Sequence, residues 1–148
     1  MKIIYYDSTG QYLAVVAAAI HLNMLATAKV APDWNDLKEL PYFDGRQKVE
    51  LGQIIFIGTD QLGNDIYILG SDGVGDVIEK AVHGINRIFD IHTESKFIDL
   101  TKKEDWLFRL GIKIKSLFTN SSLANRLIYK NILKSFTQIV EVVNDIRD

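Results

Sequence analysis

The residues of this chain most suited to chemistry form a short polar loop between the first predicted strand and the first predicted helix. The first loop, Ser8-Thr9-Gly10-Gln11, follows Asp7. Ligands of open α/β sheets bind beyond the carboxyl ends of strands, and free amides at a helix N-terminus attract anions. The first loop is therefore a candidate site for a small anionic ligand, although its single glycine and the neighbouring aspartate weaken that prediction. The alternative is a plain loop in which Ser8 or Thr9 caps the helix.

A second loop with several glycines, residues 70–76, also lies between a predicted strand and a predicted helix. Its amides around Gly73 could form a nest for a phosphate, or its carboxylates Asp72 and Asp76 could bind a metal. The two acids oppose a phosphate, however, and the ligand spacing of a calcium loop is missing. A plain glycine turn is the favoured interpretation. No metal site is predicted, and the sequence specifies no cofactor.

The histidines and the aspartates of the turns add two further candidates. His21, His83 and His92 are far apart in the sequence and lack the spacing of metal ligands. His21 falls in an apolar helix, where a hydrogen-bonded core histidine is the usual case. Asp60 falls in a predicted hairpin turn, where Asx residues stabilise the turn itself. A role for Asp60 as metal ligand or base is the alternative.

The elements that position these residues follow from hydrophobic periodicity and turn signals. Strands are predicted at 2–6, 53–57, 65–69 and 97–100, and helices at 12–24, 34–40, 77–90, 106–118 and 123–146. The second and third strands lie too close in sequence for a parallel crossover, so we expect a hairpin. Asp33 is predicted to cap the second helix, and Thr101 with Glu104 has capping-box spacing before the fourth.

Apolar stripes at helical spacing predict the buried face of each helix. These stripes are Leu13, Val16, Ala17, Ile20 and Met24; Val77, Ile78, Ala81, Ile85 and Ile88; Trp106, Leu107, Leu110, Ile114, Leu117 and Phe118; and Leu123, Leu127, Ile132, Phe136, Ile139, Val143 and Ile146. The last two helices are expected to close over one face of the sheet or over a partner. The predicted fold class is α/β, a small mixed sheet of about four strands with a β-hairpin, flanked by helices, two of them C-terminal.

Composition limits the classes of function. The 148 residues, 47% hydrophobic and 24% charged, predict a single domain over 1–148. Cysteine is absent, which excludes disulfides, thiolate zinc sites and a cysteine nucleophile, and suits a reducing compartment. No run of 18 apolar residues is present to cross a bilayer. We therefore expect a cytoplasmic protein with no membrane partner.

Charge is unevenly placed along the chain. Residues 101–135 carry eight basic and two acidic side chains, net +6, whereas residues 1–100 carry net −6. A solvated helix face is the favoured interpretation of the basic segment, and contact with nucleic acid is a weaker alternative. No recognised nucleic-acid module fits the sequence, and its pI near 5.9 opposes a dedicated binder.

Several segments together resemble a known family. They are Lys2-Ile3-Ile4-Tyr5, Val15-Val16-Ala17-Ala18-Ala19-Ile20-His21-Leu22, Leu40-Pro41-Tyr42-Phe43-Asp44, Ile57-Gly58-Thr59-Asp60, Gly63-Asn64, Tyr67-Ile68-Leu69-Gly70 and Trp106-Leu107-Phe108-Arg109-Leu110-Gly111. The chain is similar to an uncharacterised family of short proteins of unknown function from Bacillus- and Clostridium-like bacteria. The likeness spans nearly the whole chain and brings no established reaction with it.

The first loop departs from the pattern of that family. The pattern has a cysteine, paired glycines, and a histidine followed by serines, which looks like an anion-binding or catalytic loop. Here Asp7 stands in the cysteine position, Thr9 replaces a glycine, and residues 12–14 replace the histidine and serines, while Gly10 matches. The resemblance therefore implies that this member has lost the chemistry of that loop.

Three other residues, His21, Asp44 and Asp60, match the family pattern and are candidate ligand-binding residues without assigned roles. The first hypothesis is a non-catalytic binding or protein-interaction domain that pairs with itself or with a related protein through its C-terminal helices. The second is a phosphate- or nucleotide-handling enzyme that uses the first loop, the loop at 70–76 and Asp60.

Overall fold

The computed structural model describes residues 1–25 and 31–148. Over these residues the elements are β1 (Lys2–Asp7), α1 (Leu13–His21), α2 (Trp34–Lys38), β2 (Ile54–Thr59), β3 (Asp65–Gly70), α3 (Gly75–Ile88), β4 (Ser95–Asp99), α4 (Trp106–Leu117) and α5 (Ser122–Arg147). Short 3-10 turns occupy Phe43–Gly45 and Thr101–Lys103. None of the helices formed by the described residues has the length and apolar content needed to cross a membrane.

The four strands form one mixed sheet in the order β2-β3-β1-β4. β1 lies at the centre and runs parallel to both β3 and β4, whereas β2 is antiparallel to β3. The predicted mixed sheet with a β-hairpin is therefore confirmed. Side chains along β1 alternate between two covered faces, with Ile3 and Tyr5 in the main core and Ile4 and Tyr6 in a second, smaller cluster.

The main face of the sheet is covered by α1, in which every residue is buried. α5 packs on α1, so α1 lies between the sheet and α5. The prediction that the helix extends to Met24 is wrong, because the chain leaves the helix after His21 and Asn23 takes a positive φ of 57°. Met24 is consequently exposed beyond the end of the helix.

Helix α3 lies on the second face of the sheet, where Gly75 and Ile78 are among its contact residues. Gly75 packs so closely on Tyr6 that a Cβ there would lie 2.3 Å from the ring. Ile78 joins the small cluster on this face. The predicted helix is present, but this contact turns most of its apolar stripe, from Val77 to Ile88, outward.

The C-terminal helices pack against each other, and α5 also packs on α1. The face that α4 buries is not the predicted one. Phe108 and Gly111 are its buried residues, and a Cβ at Gly111 would lie 3.1 Å from the Ala124 carbonyl oxygen. Because the glycine lets the two backbones approach, the predicted stripe is turned away from α5. Its exposed members are Trp106, Leu110, Leu117 and Phe118. The predicted α5 stripe is largely buried, except that Leu123 is exposed.

The capping predictions have mixed outcomes. Asp33 caps α2 in a capping box with Asp36, and its predicted role is confirmed. The capping box predicted at Thr101 and Glu104 is wrong, because the N-cap of α4 is Asp105, four residues after Thr101. The Asp105 side chain accepts a hydrogen bond from the Phe108 amide. Glu104 instead turns toward the end of β1.

Candidate functional site

The N-terminus of α1 is occupied by a carboxylate of the chain itself. Asp7, the last residue of β1, is fully buried. Its Oδ1 accepts a hydrogen bond from the Gly10 amide at 2.5 Å, and its Oδ2 accepts one from the Ala14 amide at 3.0 Å. Burial raises the pKa of Asp7, and these two amides act in the opposite direction. The position that an anionic ligand would take at a helix N-terminus is thus filled by Asp7.

The remaining amides of the first loop with assigned partners also bond within the chain. The Ser8 amide donates to Glu104 Oε1 at 2.8 Å, and the Gln11 amide donates to Thr9 Oγ1 at 3.3 Å. The alternative prediction, that Ser8 or Thr9 caps the helix, is therefore wrong. The side chain that accepts from an amide at the start of α1 is that of Asp7. The amides of Ser8, Gly10 and Gln11 therefore already donate to acceptors of the same chain.

Backbone bonds tie the loop at 70–76 to the first loop. The Ser71 amide donates to the Asp7 carbonyl at 2.8 Å, and the Asp72 amide donates to the Ser8 carbonyl at 3.0 Å. Gly10, with φ of 73°, lies against Gly70 so closely that a Cβ on Gly10 would be 2.7 Å from the Gly70 nitrogen. Two of the amides that could have formed a phosphate nest are used in this contact.

Glu104 is a buried acid that sequence reasoning placed in the wrong role. Its Oε1 accepts hydrogen bonds from both the amide and the hydroxyl of Ser8. Its Oε2 is buried and has no hydrogen-bond partner among the described residues. Burial, followed by the charge of Asp7, raises the pKa of Glu104 to about 7. Two buried carboxyls therefore support one loop, and both resist ionisation.

Asp44 lies beside the first loop in an ion pair. Its carboxylate accepts a hydrogen bond from the Tyr12 hydroxyl at 2.7 Å and contacts Lys115 Nζ at 2.6 Å. Lys115 also lies over the Trp34 ring, 5.4 Å from its centroid. The pair joins the segment before β2 to α4, and Lys115 enters from a basic stretch that sequence analysis treated as a solvated face.

His21 and Asp60 form a separate buried chain of hydrogen bonds. The Tyr5 hydroxyl lies 2.7 Å from His21 Nδ1, and His21 Nε2 lies 3.0 Å from Asp60 Oδ2. Asp60 also accepts from the amides of Leu62 and Asn64 and from the Asn64 side chain, contacts that outweigh its burial and lower its pKa to about 2. Burial lowers the pKa of His21. A neutral imidazole that accepts from Tyr5 and donates to Asp60 satisfies all three side chains.

The predicted site residues thus fall into two groups at opposite edges of the sheet. The first loop, Asp44 and Gly73 lie at the edge where β1 ends, whereas His21 and Asp60 lie at the edge where it begins. A six-residue strand separates these edges by about 20 Å. The structure does not bring Asp60 to either of the loops that the enzyme hypothesis combines.

Two open clefts flank the first loop and share Thr9 and Ile112. One, of about 520 Å³, is lined by Asp44 and Lys115, and the other, of about 470 Å³, is lined by Glu104 and Arg109. Within residues 1–25 and 31–148, no three His, Cys, Asp or Glu side chains are grouped so that they could hold a metal ion. Lys115 pairs with Asp44 and Ser8 with Glu104, whereas the Arg109 side chain has no hydrogen-bond or ion-pair partner among the described residues.

Sequence reasoning placed Asp7 at the first loop but missed that it accepts from the loop and helix amides, and it missed Glu104 and Lys115 as parts of this site. Asp7 carried a usable signal, since an acid just before a polar loop and a helix is typical of a capping residue. Glu104 carried none, because its partner Ser8 lies 96 positions away in the sequence. Lys115 was one member of a basic segment, and nothing local connects it to Asp44.

Comparison with known proteins gives one match. A family model described as "Protein of unknown function (DUF3189)" matches residues 2–148. No curated protein and no solved structure matches the chain.

Proposed function

This chain belongs to the DUF3189 family, whose function is unknown, and we propose that it is a non-catalytic protein-interaction domain. One observation carries the proposal: the carboxylate of Asp7 accepts hydrogen bonds from the Gly10 and Ala14 amides. A phosphate at the same amides would meet a buried acid and find its donors taken. In the loop best placed to bind an anion, the Asp7 side chain therefore already takes the place of the ligand.

The surroundings of the first loop support the same conclusion. A phosphate-handling loop needs cationic side chains that are available to the ligand. Of the two cationic side chains that line the clefts beside the loop, Lys115 is paired with Asp44, and Arg109 shares its cleft with the buried acid Glu104. The second hypothesis also requires Asp60, which bonds to His21 at the far edge of the sheet. This distance favours the interaction domain over the phosphate- or nucleotide-handling enzyme.

Two helices offer surfaces for a partner. α3 exposes Val77, Ile85 and Ile88, and α4 exposes Trp106 and Leu117. Contiguous exposed apolar patches on soluble proteins mark interaction sites more often than scattered single residues do. The expectation of association through the C-terminal helices thus applies to α4, whereas α5 buries most of its stripe.

Removal of the Asp7 carboxylate tests the proposal. Asp7→Ala is expected to lower the free energy of unfolding by about 2–4 kcal/mol, because two amides lose their buried acceptor. Formate, which replaces the missing carboxylate, should restore part of the lost thermal stability in a saturable way, since it binds only the folded variant.

The controls separate this effect from general salt effects. Asp72→Asn, in the exposed neighbouring loop, keeps a residue that tolerates the positive φ of 46° at this position. It should show wild-type stability and no response to formate beyond that of chloride at equal ionic strength. Asp7→Asn should be destabilised but unresponsive, because its side chain still fills the space. Equal stability of wild type and Asp7→Ala would contradict the proposal.

A further inference from the structure

The exposed face of α3 has the spacing of a helix–helix seam. Val77, Ala81, Gly84 and Ile88 recur at steps of four, three and four residues, which is the pattern of an apolar seam between two helices. Val77 is 58% exposed and Ile88 is 77% exposed, and Ile85 beside them is 51% exposed. The seam has no partner among the described residues of this chain.

No contact among the described residues of a single copy requires glycine at position 84. Apart from its chain neighbours and the backbone of its own helix, a Cβ at this position would meet no atom of residues 1–25 and 31–148 within 4 Å. A glycine inside a helix costs about 1 kcal/mol relative to alanine. Gly84 and Ala81, one turn away, are small residues, so a second helix can approach the backbone of α3 closely at the centre of the seam.

The charged residues beside the seam indicate which partner fits it. Asp76, Lys80 and Arg87 lie on one flank of α3 and are exposed, and none of them makes an ion pair within the described residues. In an antiparallel pair of identical helices, equal flanks face each other. A two-fold axis between Ala81 and Gly84 then sets Asp76 of each copy near Arg87 of the other.

Other pairings fit less well. A parallel pair of α3 helices would set the charged flank against the apolar flank at Ile85. Self-pairing through α4 would bring together two copies of a helix with exposed Arg109 and Lys113 around Trp106, which adds like-charge repulsion. Charge complementarity therefore points to α3 and to an antiparallel arrangement.

We propose that a second copy of this chain docks antiparallel on α3, with Ala81 and Gly84 at the crossing and two Asp76–Arg87 pairs at the ends. The inference rests on the proposed function, for which it names the partner. The helix that carries the seam is 14 residues long and spans about 21 Å, and an interface of this size associates weakly and reversibly.

Charge reversal tests the arrangement by sedimentation equilibrium from about 5 to about 500 µM, a range that brackets weak interfaces. Wild type should dimerise, and Asp76→Arg or Arg87→Asp alone should weaken the dimer about tenfold, since both end contacts become repulsive. An equimolar mixture of the two single variants should dimerise again, because both end contacts in the mixed dimer are attractive. The double variant should do the same.

Matched controls make every result decisive. Trp106→Glu, on the exposed face of α4, should leave the dimer unchanged, and circular dichroism should show that each variant remains folded. A monomeric wild type at the highest concentration, a dimer insensitive to the reversals, or one abolished by Trp106→Glu overturns the inference. None of these results involves formate, so they are distinct from failure of the Asp7 test.

Discussion

A single aspartate determines how the first loop of this protein behaves. From the sequence alone, the charge of Asp7 was expected only to repel an anion. The structure shows Asp7 bonded to the Gly10 and Ala14 amides. The aspartate therefore both excludes an anion and takes over its hydrogen bonds.

The pH dependence of stability reports on Glu104. Its pKa is raised from 4.5 to about 7 in the folded protein, so its contribution to stability is complete below pH 4.5 and is lost as the pH rises through about 7. A shift of this size corresponds to roughly 3 kcal/mol. Glu104→Gln removes the ionisation while it keeps an oxygen that can accept from Ser8.

Urea unfolding of wild type and Glu104→Gln at pH 4.5, 6 and 8 measures this effect. The stability of the variant relative to wild type should increase across this range by up to about 3 kcal/mol. The difference between the two proteins matters, because the lowered pKa of His21 makes the stability of both fall as the pH drops below 6.5. Asp72→Asn should track wild type, and a difference independent of pH would argue against the role of Glu104.

At the scale of elements, local signals predicted most of the fold. The hairpin of β2 and β3 was predictable because six residues cannot make a crossover, and Asp33 was predictable as a cap from its position before α2. The sequence did not predict which faces of α3 and α4 are buried. α3 and α4 turn large parts of their stripes outward because Gly75 and Gly111 set their contacts with Tyr6 and α5.

The start of α4 separates two capping schemes. The structure assigns the cap to Asp105, whose Oδ1 accepts from the Phe108 amide at 2.7 Å, whereas sequence spacing favoured Thr101. Asp105→Ala should lower the free energy of unfolding by about 1 kcal/mol, and Thr101→Ala should change it by less than about 0.5 kcal/mol. Chemical denaturation of the two variants decides the question, and the reverse order would contradict the assigned cap.

At the scale of the whole molecule, the sequence predicted the class of fold but not which distant residues meet. Ser8 and Glu104 are 96 positions apart, and Asp44 and Lys115 are 71 apart. Such contacts depend on how Glu104 and the α4 helix that follows it come to lie beside the first loop, which no local pattern encodes. His21 and Asp60 lie where β1 begins, and the length of the strand separates them from the first loop by about 20 Å.

The central claim is that the amides at the N-terminus of α1 are closed to an external anion. The most direct test is a phosphate titration of wild type at constant ionic strength, followed through the backbone amide NMR signals of Gly10 and Ala14. We expect both signals to stay in place at millimolar phosphate, because Asp7 already accepts from these amides. Saturable shifts of both signals would show that phosphate binds there and would contradict the account.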